Sequence, residues 1–342
     1  MARAVWKKLL VDPSIQRSSQ SLSVVGSNAY IYGGELRPRE PVDSSVYYVP
    51  LEPGEFSTSG IAKLTNHPTT PSPRVGTAST TVNEKIYIFS GRGGTAMTPI
   101  EESGAIWVFD TGAETGGEWS QVHPADPAAP YPVGRSYHAL TSNGQDKFFL
   151  HAGCPEKGRL SDLWAFDIPN RKWTELVPAP GPERGGTSIA YLDGKIYRMN
   201  GFDGKTEQGG ALDVFDLSVG SWTAIAYAAD GVNGPSPRSV SCLLPVIIDG
   251  KPSLVTMFGE HDPSSLGHQG AGKMLSDIWA FHVGSSEWAK VDVDVEGGGE
   301  APPARGWFDA DVMGVSESRI VVHGGLAESN ERLGDVWILD FQ

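Results

Sequence analysis

The sequence predicts an all-β protein made of six repeated, four-stranded units. Three observations predict it. The chain of 342 residues holds 42 glycines and 25 prolines, about a fifth of the total, the punctuation of many short strands. There is no collagen-like period, and aromatic residues are plentiful, so the same composition does not describe a disordered chain. Finally, one motif returns six times along the chain: an arginine, an alternating strand, a pair of small residues, and an aromatic strand.

The units can be taken in order. The first opens at Arg17-Ser18, continues through Ala29-Tyr30-Ile31-Tyr32-Gly33-Gly34, and reaches Val46-Tyr47-Tyr48-Val49; it is the weakest copy. The second has Pro73-Arg74, Ile86-Tyr87-Ile88-Phe89-Ser90-Gly91, Ile106-Trp107-Val108-Phe109-Asp110 and a closing Trp119. The third runs from Arg135-Ser136 through Phe148-Phe149-Leu150-His151-Ala152-Gly153 and Leu163-Trp164-Ala165-Phe166 to Trp173. The fourth has Arg184, Ile196-Tyr197-Arg198-Met199-Asn200-Gly201, Leu212-Asp213-Val214-Phe215 and Trp222. The fifth has Pro237-Arg238, Val255-Thr256-Met257-Phe258-Gly259, Ile278-Trp279-Ala280-Phe281 and Trp288. The sixth has Arg305, Ile320-Val321-Val322-His323-Gly324-Gly325 and Asp335-Val336-Trp337-Ile338-Leu339.

The opening arginines are spaced by 57, 61, 49, 54 and 67 residues. A period near 50 with four strands per unit resembles the kelch repeat, which builds a β-propeller. The expectation is one propeller domain over residues 1–342, with blades opening near Arg17, Arg74, Arg135, Arg184, Arg238 and Arg305. The sixth copy has no closing Trp, whereas Trp6 precedes the first copy. The N-terminal strand should therefore complete the last blade and remove its open edge. The tryptophans that recur at two fixed repeat positions are expected to pack between blades.

Net charge is −14, from 27 basic and 41 acidic residues, without a basic cluster. That balance speaks against a nucleic-acid or anionic-membrane partner. Two cysteines, Cys154 and Cys242, make no disulfide framework, and residues 1–8 lack the apolar stretch of a secretory signal. A soluble cytoplasmic location is the expectation.

Packing repeats, so residues that break the repeat are the better functional candidates. The residue after each small pair is in turn Glu35, Arg92, Cys154, Phe202, Glu260 and Leu326, a mixture that packing alone would not choose. In a propeller equivalent strand ends share one face, so these side chains should gather at one mouth of the channel. The segment from Gly259 to Gly272 places Glu260, His261, Asp262 and His268 within nine residues. Two imidazoles and a carboxylate with open positions suit Fe(II), Mn or a catalytic zinc. His138, His151 and His323 fall at repeat positions and read as structural. Cys154 has no recognisable base beside it and is a poor nucleophile candidate. Gly91-Arg92-Gly93-Gly94 is not a dinucleotide motif, since no helix follows it.

Over its whole length the chain resembles the plant specifier proteins, the epithiospecifier, nitrile-specifier and thiocyanate-forming kelch proteins. Four segments carry the resemblance: the stretch ending at Arg92; Arg159, six residues past Gly153; Arg305-Gly306-Trp307; and the loop Gly259-Glu260 to Gly267-His268 with Gly270-Ala271-Gly272. The resemblance implies a six-bladed propeller acting with ferrous iron on an anionic, sulfur-containing secondary metabolite. It implies Arg92 and Arg159 as a clamp on sulfate, Trp307 as an apolar pocket wall, and Glu260 and His268 among the iron ligands. The family's Glu-x3-Asp-x3-His spacing is broken here, because position 264 is Ser. Asp262 is the substitute ligand, and the loss of an anionic oxygen predicts weak Fe(II) binding. Glu35 joins the substrate-binding set.

Two other classes stay open at this point. One is a metal-free lyase, isomerase or cyclase acting on a small metabolite, with Glu260 or His268 as acid or base. The other is a non-catalytic interaction module; such kelch proteins usually carry a further domain such as BTB, for which 342 residues leave no room.

Overall fold

The structure, a computed structural model, describes residues 2–52, 61–64, 69–113, 116–314 and 318–342, and only the backbone of His268. It is a β-propeller of six antiparallel, four-stranded blades. The first runs outward from Ser18–Val25 through Asn28–Arg37 and Val46–Pro50 to Ala62–Leu64. The inner strands of the next four are Ala78–Val82, Ala139–Ser142, Ser188–Leu192 and Leu244–Ile248. The sixth is Asp309–Val312, Arg319–His323, Asp335–Phe341 and, outermost, Arg3–Val11. Each inner strand touches the next, and the last returns to the first.

The N-terminal strand closes the ring as expected. It pairs antiparallel with Asp335–Phe341, Trp6 opposite Leu339, and its other edge is covered by the parallel strand Asp292–Val295. Trp6 stacks on Phe258 of the fifth blade at 5.9 Å. Its equivalents behave alike, each meeting the preceding blade: Trp119 packs on Tyr32, Trp173 on Phe89, Trp222 on His151 and Trp288 on Tyr227. Six clusters of buried apolar side chains occupy the six blade interfaces, so the hydrophobic driving force is spread around the ring.

Of the other recurring tryptophans, Trp107, Trp164 and Trp337 belong to these inter-blade clusters, as expected, and the indole N–H of each also ties its own blade together. In each unit the opening arginine is buried and donates to the carbonyl of the first small-pair residue, at 2.8 to 3.2 Å. Arg74, Arg135, Arg238 and Arg305 also pair with Glu102, Asp162, Asp277 and Asp335. The same carboxylates accept the indole N–H of Trp107, Trp164, Trp279 and Trp337. A buried guanidinium is tolerable only when its donors and charge are matched, and this triad matches them. In the fourth blade Asp213 itself stands at the Trp position, and it pairs with Arg198 instead.

The small pairs have an equally direct cause. Both residues are left-handed: φ is 48° to 69° at the first and 90° to 108° at the second. The first admits Gly, Ser, Ala, Asn or Phe. The second is Gly every time, because a side chain is strained there and has no room. At Gly153 a Cβ would lie 2.9 Å from the His138 backbone nitrogen.

Candidate functional site

One further residue repeats, two positions after each opening arginine. Ser19, Gly76, Tyr137, Gly186, Val240 and Trp307 are all left-handed, φ 47° to 64°. Their backbones form a closed circle of six hydrogen bonds: each N–H donates to the carbonyl of the preceding member, and Ser19 donates to Trp307, at 2.7 to 3.2 Å. This circle rims the central channel at the end where the inner strands begin. Below it lies a cavity of about 520 Å³ whose charged lining residues are Asp193, Asp309 and Asp311, with no Lys or Arg. The side chains of the circle are uneven. Tyr137 lies over Gly76 and reaches Ser19 with its hydroxyl at 3.5 Å, while Trp307 stands half-buried beside them.

Just outside the circle sit the six residues that follow the small pairs. Each bridges the residue after an opening arginine: Glu35 opposite Ser18, Arg92 opposite Val75, Cys154 opposite Ser136, Phe202 opposite Gly185, Glu260 opposite Ser239 and Leu326 opposite Gly306. Glu35, Arg92, Glu260 and Trp307 thus share one mouth, as the repeat geometry requires. Arg159 joins them from the third-blade loop, its guanidinium 5.0 Å over the Phe202 ring.

The charges around this mouth are segregated. On the second and third blades Arg92 is pinned, Nε to Ser136 Oγ, Nη1 to the Met97 carbonyl and Nη2 to the Pro155 carbonyl. Arg92 and Arg159 both act on the thiol of Cys154; burial outweighs them and pushes that thiol up, so it is no thiolate nucleophile. On the fifth blade Glu260 is 4% exposed, and Oε1 accepts the Gly272 N–H at 2.8 Å. Burial, helped by the nearby carboxylate of Glu207, raises its pKa to about 7. Glu35 is already matched: Oε1 meets Arg332 at 3.3 Å and Oε2 accepts the Arg39 N–H at 2.7 Å.

The ferrous donor set does not assemble among the described residues. No three His, Cys, Asp or Glu side chains come together to hold a metal there. Asp262 points to solvent with 73% of its side chain exposed, beside His261 Nε2 at 3.5 Å. His261 Nδ1 is taken by the Pro237 carbonyl, and Ser264 Oγ accepts the Leu266 N–H. The side chain of His268 lies outside the described residues. Asp262 lies just past the two-residue strand Glu260–His261 and faces solvent, whereas Glu260 is buried.

The structural histidines read as expected at His151 and His323, both buried and hydrogen-bonded. His138 differs: neither ring nitrogen makes a close hydrogen bond, and burial with Arg135 nearby holds it down at about 3, hence neutral. Sequence reasoning missed Glu207, Arg332 and Tyr137. Glu207 and Arg332 pair back to Phe202 and Leu326, the residues after the small pairs, so the signal was the returning strand of each loop. Among the described residues no helix is long and apolar enough to cross a membrane, which says nothing of β-barrels.

Comparison with known proteins agrees with this architecture. Residues 19–259 match the KLHDC2/KLHL20/DRC7 Kelch-repeats domain. The N-(sulfonatooxy)prop-2-enimidothioate sulfolyase of Thlaspi arvense is 26% identical across 94% of this chain and 91% of its own length. Kelch domain-containing protein 2 of Bos taurus is 35% identical, but over 38% of this chain and 30% of its own length. The solved structure of YjhT superposes with a TM-score of 0.70, covering 98% of this chain and 99% of that one, at 15% identity.

Proposed function

The chain belongs to the kelch-repeat family, and from that premise we propose that it is an enzyme of the specifier type, processing a small anionic metabolite at the mouth beside Trp307. The observation that carries this reading is the pairing of opposites on one face: Arg92 and Arg159 on one side, and on the other a buried Glu260 with no ion pair among the described residues. The end-to-end likeness to a sulfolyase supports the choice of an N-sulfonatooxy-type substrate. Arg92 and Arg159 would hold the sulfate and stabilise the charge it carries away as the N–O bond breaks. Glu260, poised near neutrality, would exchange a proton with the fragment left behind. Trp307 would give the substrate side chain an apolar wall. Among the described residues no ferrous donor set assembles, so these roles are given to Arg92, Arg159 and Glu260 alone.

The test is sulfate release from an N-(sulfonatooxy)imidothioate, generated in place, with and without the protein. Acceleration that is lost in Arg92→Met and Glu260→Gln, and unaffected by a chelator, is the expected result. Acceleration abolished by the chelator and restored by Fe(II) would overturn the acid–base reading. No acceleration at all would overturn the proposed activity.

A further inference from the structure

In the cavity below, Asp309 and Asp311 are met by backbone N–H groups, and most buried carboxylates around the mouth are met by arginine. The acids of the repeat network and Glu35 each have a guanidinium within 3.3 Å. Glu207 and Glu260 do not. They come from neighbouring blades, fourth and fifth, and lie close enough for the charge of one to disfavour the charge of the other. Neither has an ion pair among the described residues. Glu207 Oε1 is buried without a hydrogen-bond partner, and Glu260 has only the Gly272 N–H, on Oε1. The charge of His261 acts on Glu207, but its ring nitrogens already meet the Pro237 carbonyl and Asp262.

The opposite deficit lies across Phe202. Arg159 stacks on that ring, in space left by Gly204, where a Cβ would be 2.6 Å from Nη1. It makes no hydrogen bond or ion pair among the described residues, and its Nε is buried without a partner. Asp203 feels this charge, but its own oxygens are taken by Lys205, Thr206 and Gln208. Arg159 over the Phe202 ring, Glu207 bridged to Phe202, and Glu260 at the position equivalent to Phe202 in the next blade therefore share this mouth, none of them with an ion pair among the described residues. A charge held in or beside a buried site is unfavourable unless the group neutralises or something external matches it.

We propose that the mouth selects a zwitterion, taking its anionic group on Arg159 with Arg92 and its protonated amine on Glu207 with Glu260. Phe202 then supports the apolar spacer between the two ends. This rests on reading the mouth as the small-molecule site, and adds the substrate class.

The experiment uses the full chain and calorimetric titration near pH 7. The probes are ω-aminoalkyl sulfonates with spacers of two to six carbons, against alkyl sulfonates of the same lengths. At least one amino sulfonate should bind about tenfold more tightly than its alkyl counterpart. Glu207→Gln should remove that preference while leaving alkyl sulfonate binding unchanged, and Arg159→Met should weaken both series. Glu260→Gln is the second variant should Glu207→Gln not fold. Alkyl sulfonates binding as well as amino sulfonates, still dependent on Arg159, would overturn the zwitterion and leave the anion site standing. Binding of neither series, or binding indifferent to Arg159→Met, would overturn both.

Discussion

Asp309→Asn offers the most quantitative test of how the ring is sealed. Asp309 and Asp311 lie on the inner strand of the last blade and reach across the seam to the first. Asp309 Oδ2 accepts the Leu22 N–H at 2.6 Å, and Asp311 Oδ2 accepts the Val24 N–H at 2.8 Å. Burial outweighs these bonds and raises Asp309 to about 7 from an unfolded value near 3.8. A shift of roughly three units corresponds to about 4 kcal/mol. Because the folded pKa is the higher one, the contribution is complete below pH 3.8 and is lost as pH rises through 7. Asn cannot ionise, so the variant escapes that loss. It suffers a fixed one instead, since Oδ1 of Asp309 also accepts the Ala310 N–H, and one of the two donors would then face an amide NH₂. That mismatch costs about 1–3 kcal/mol. Urea unfolding followed by tryptophan fluorescence should therefore find the variant weaker than the parent near pH 4, where the parent has lost little of this contribution. By pH 8 it should be equal or stronger. A difference between the two proteins that stays constant from pH 4 to pH 8 would refute the reasoning.

Two further outcomes follow from the closure and from the repeat. Trp6→Ala removes a 3%-exposed side chain packed on Phe258 and Trp337, and should cost about 3–5 kcal/mol in urea unfolding. Deleting residues 1–10 should go further, uncovering the edge of Asp335–Phe341 and producing oligomers on size-exclusion chromatography; a monomer of unchanged melting temperature would contradict the closure. Gly153→Ala meets His138 Cβ at 2.8 Å and the His138 backbone at 2.9 Å in a left-handed conformation, whereas Gly158→Ala is left-handed in open space. The second should cost about 1 kcal/mol and the first distinctly more, so equal melting temperatures would count against the steric account of the small pairs.

The repeat made most of the fold legible without coordinates. Six arginines, six glycines ending the small pairs and a displaced Trp6 are local signals of a conserved geometry within one chain. Each has a local cause: a buried guanidinium that needs a carbonyl, and a left-handed backbone that excludes Cβ. That Glu35, Arg92, Glu260 and Trp307 meet at one mouth also followed from the repeat, because equivalent strand ends share a face. What each side chain meets there did not follow. Glu35 and Glu260 occupy the same repeat position, yet Glu35 is spent on Arg332, almost 300 residues away, while Glu260 has no ion pair among the described residues. Asp262 is two residues from Glu260 and faces solvent. Charge pairing across blades depends on distances between segments far apart in sequence, and burial depends on everything packed around a group. Only the closed ring decided those, and with them the pKa of Glu260, the freedom of Arg159 and the failure of the iron ligands to assemble among the described residues.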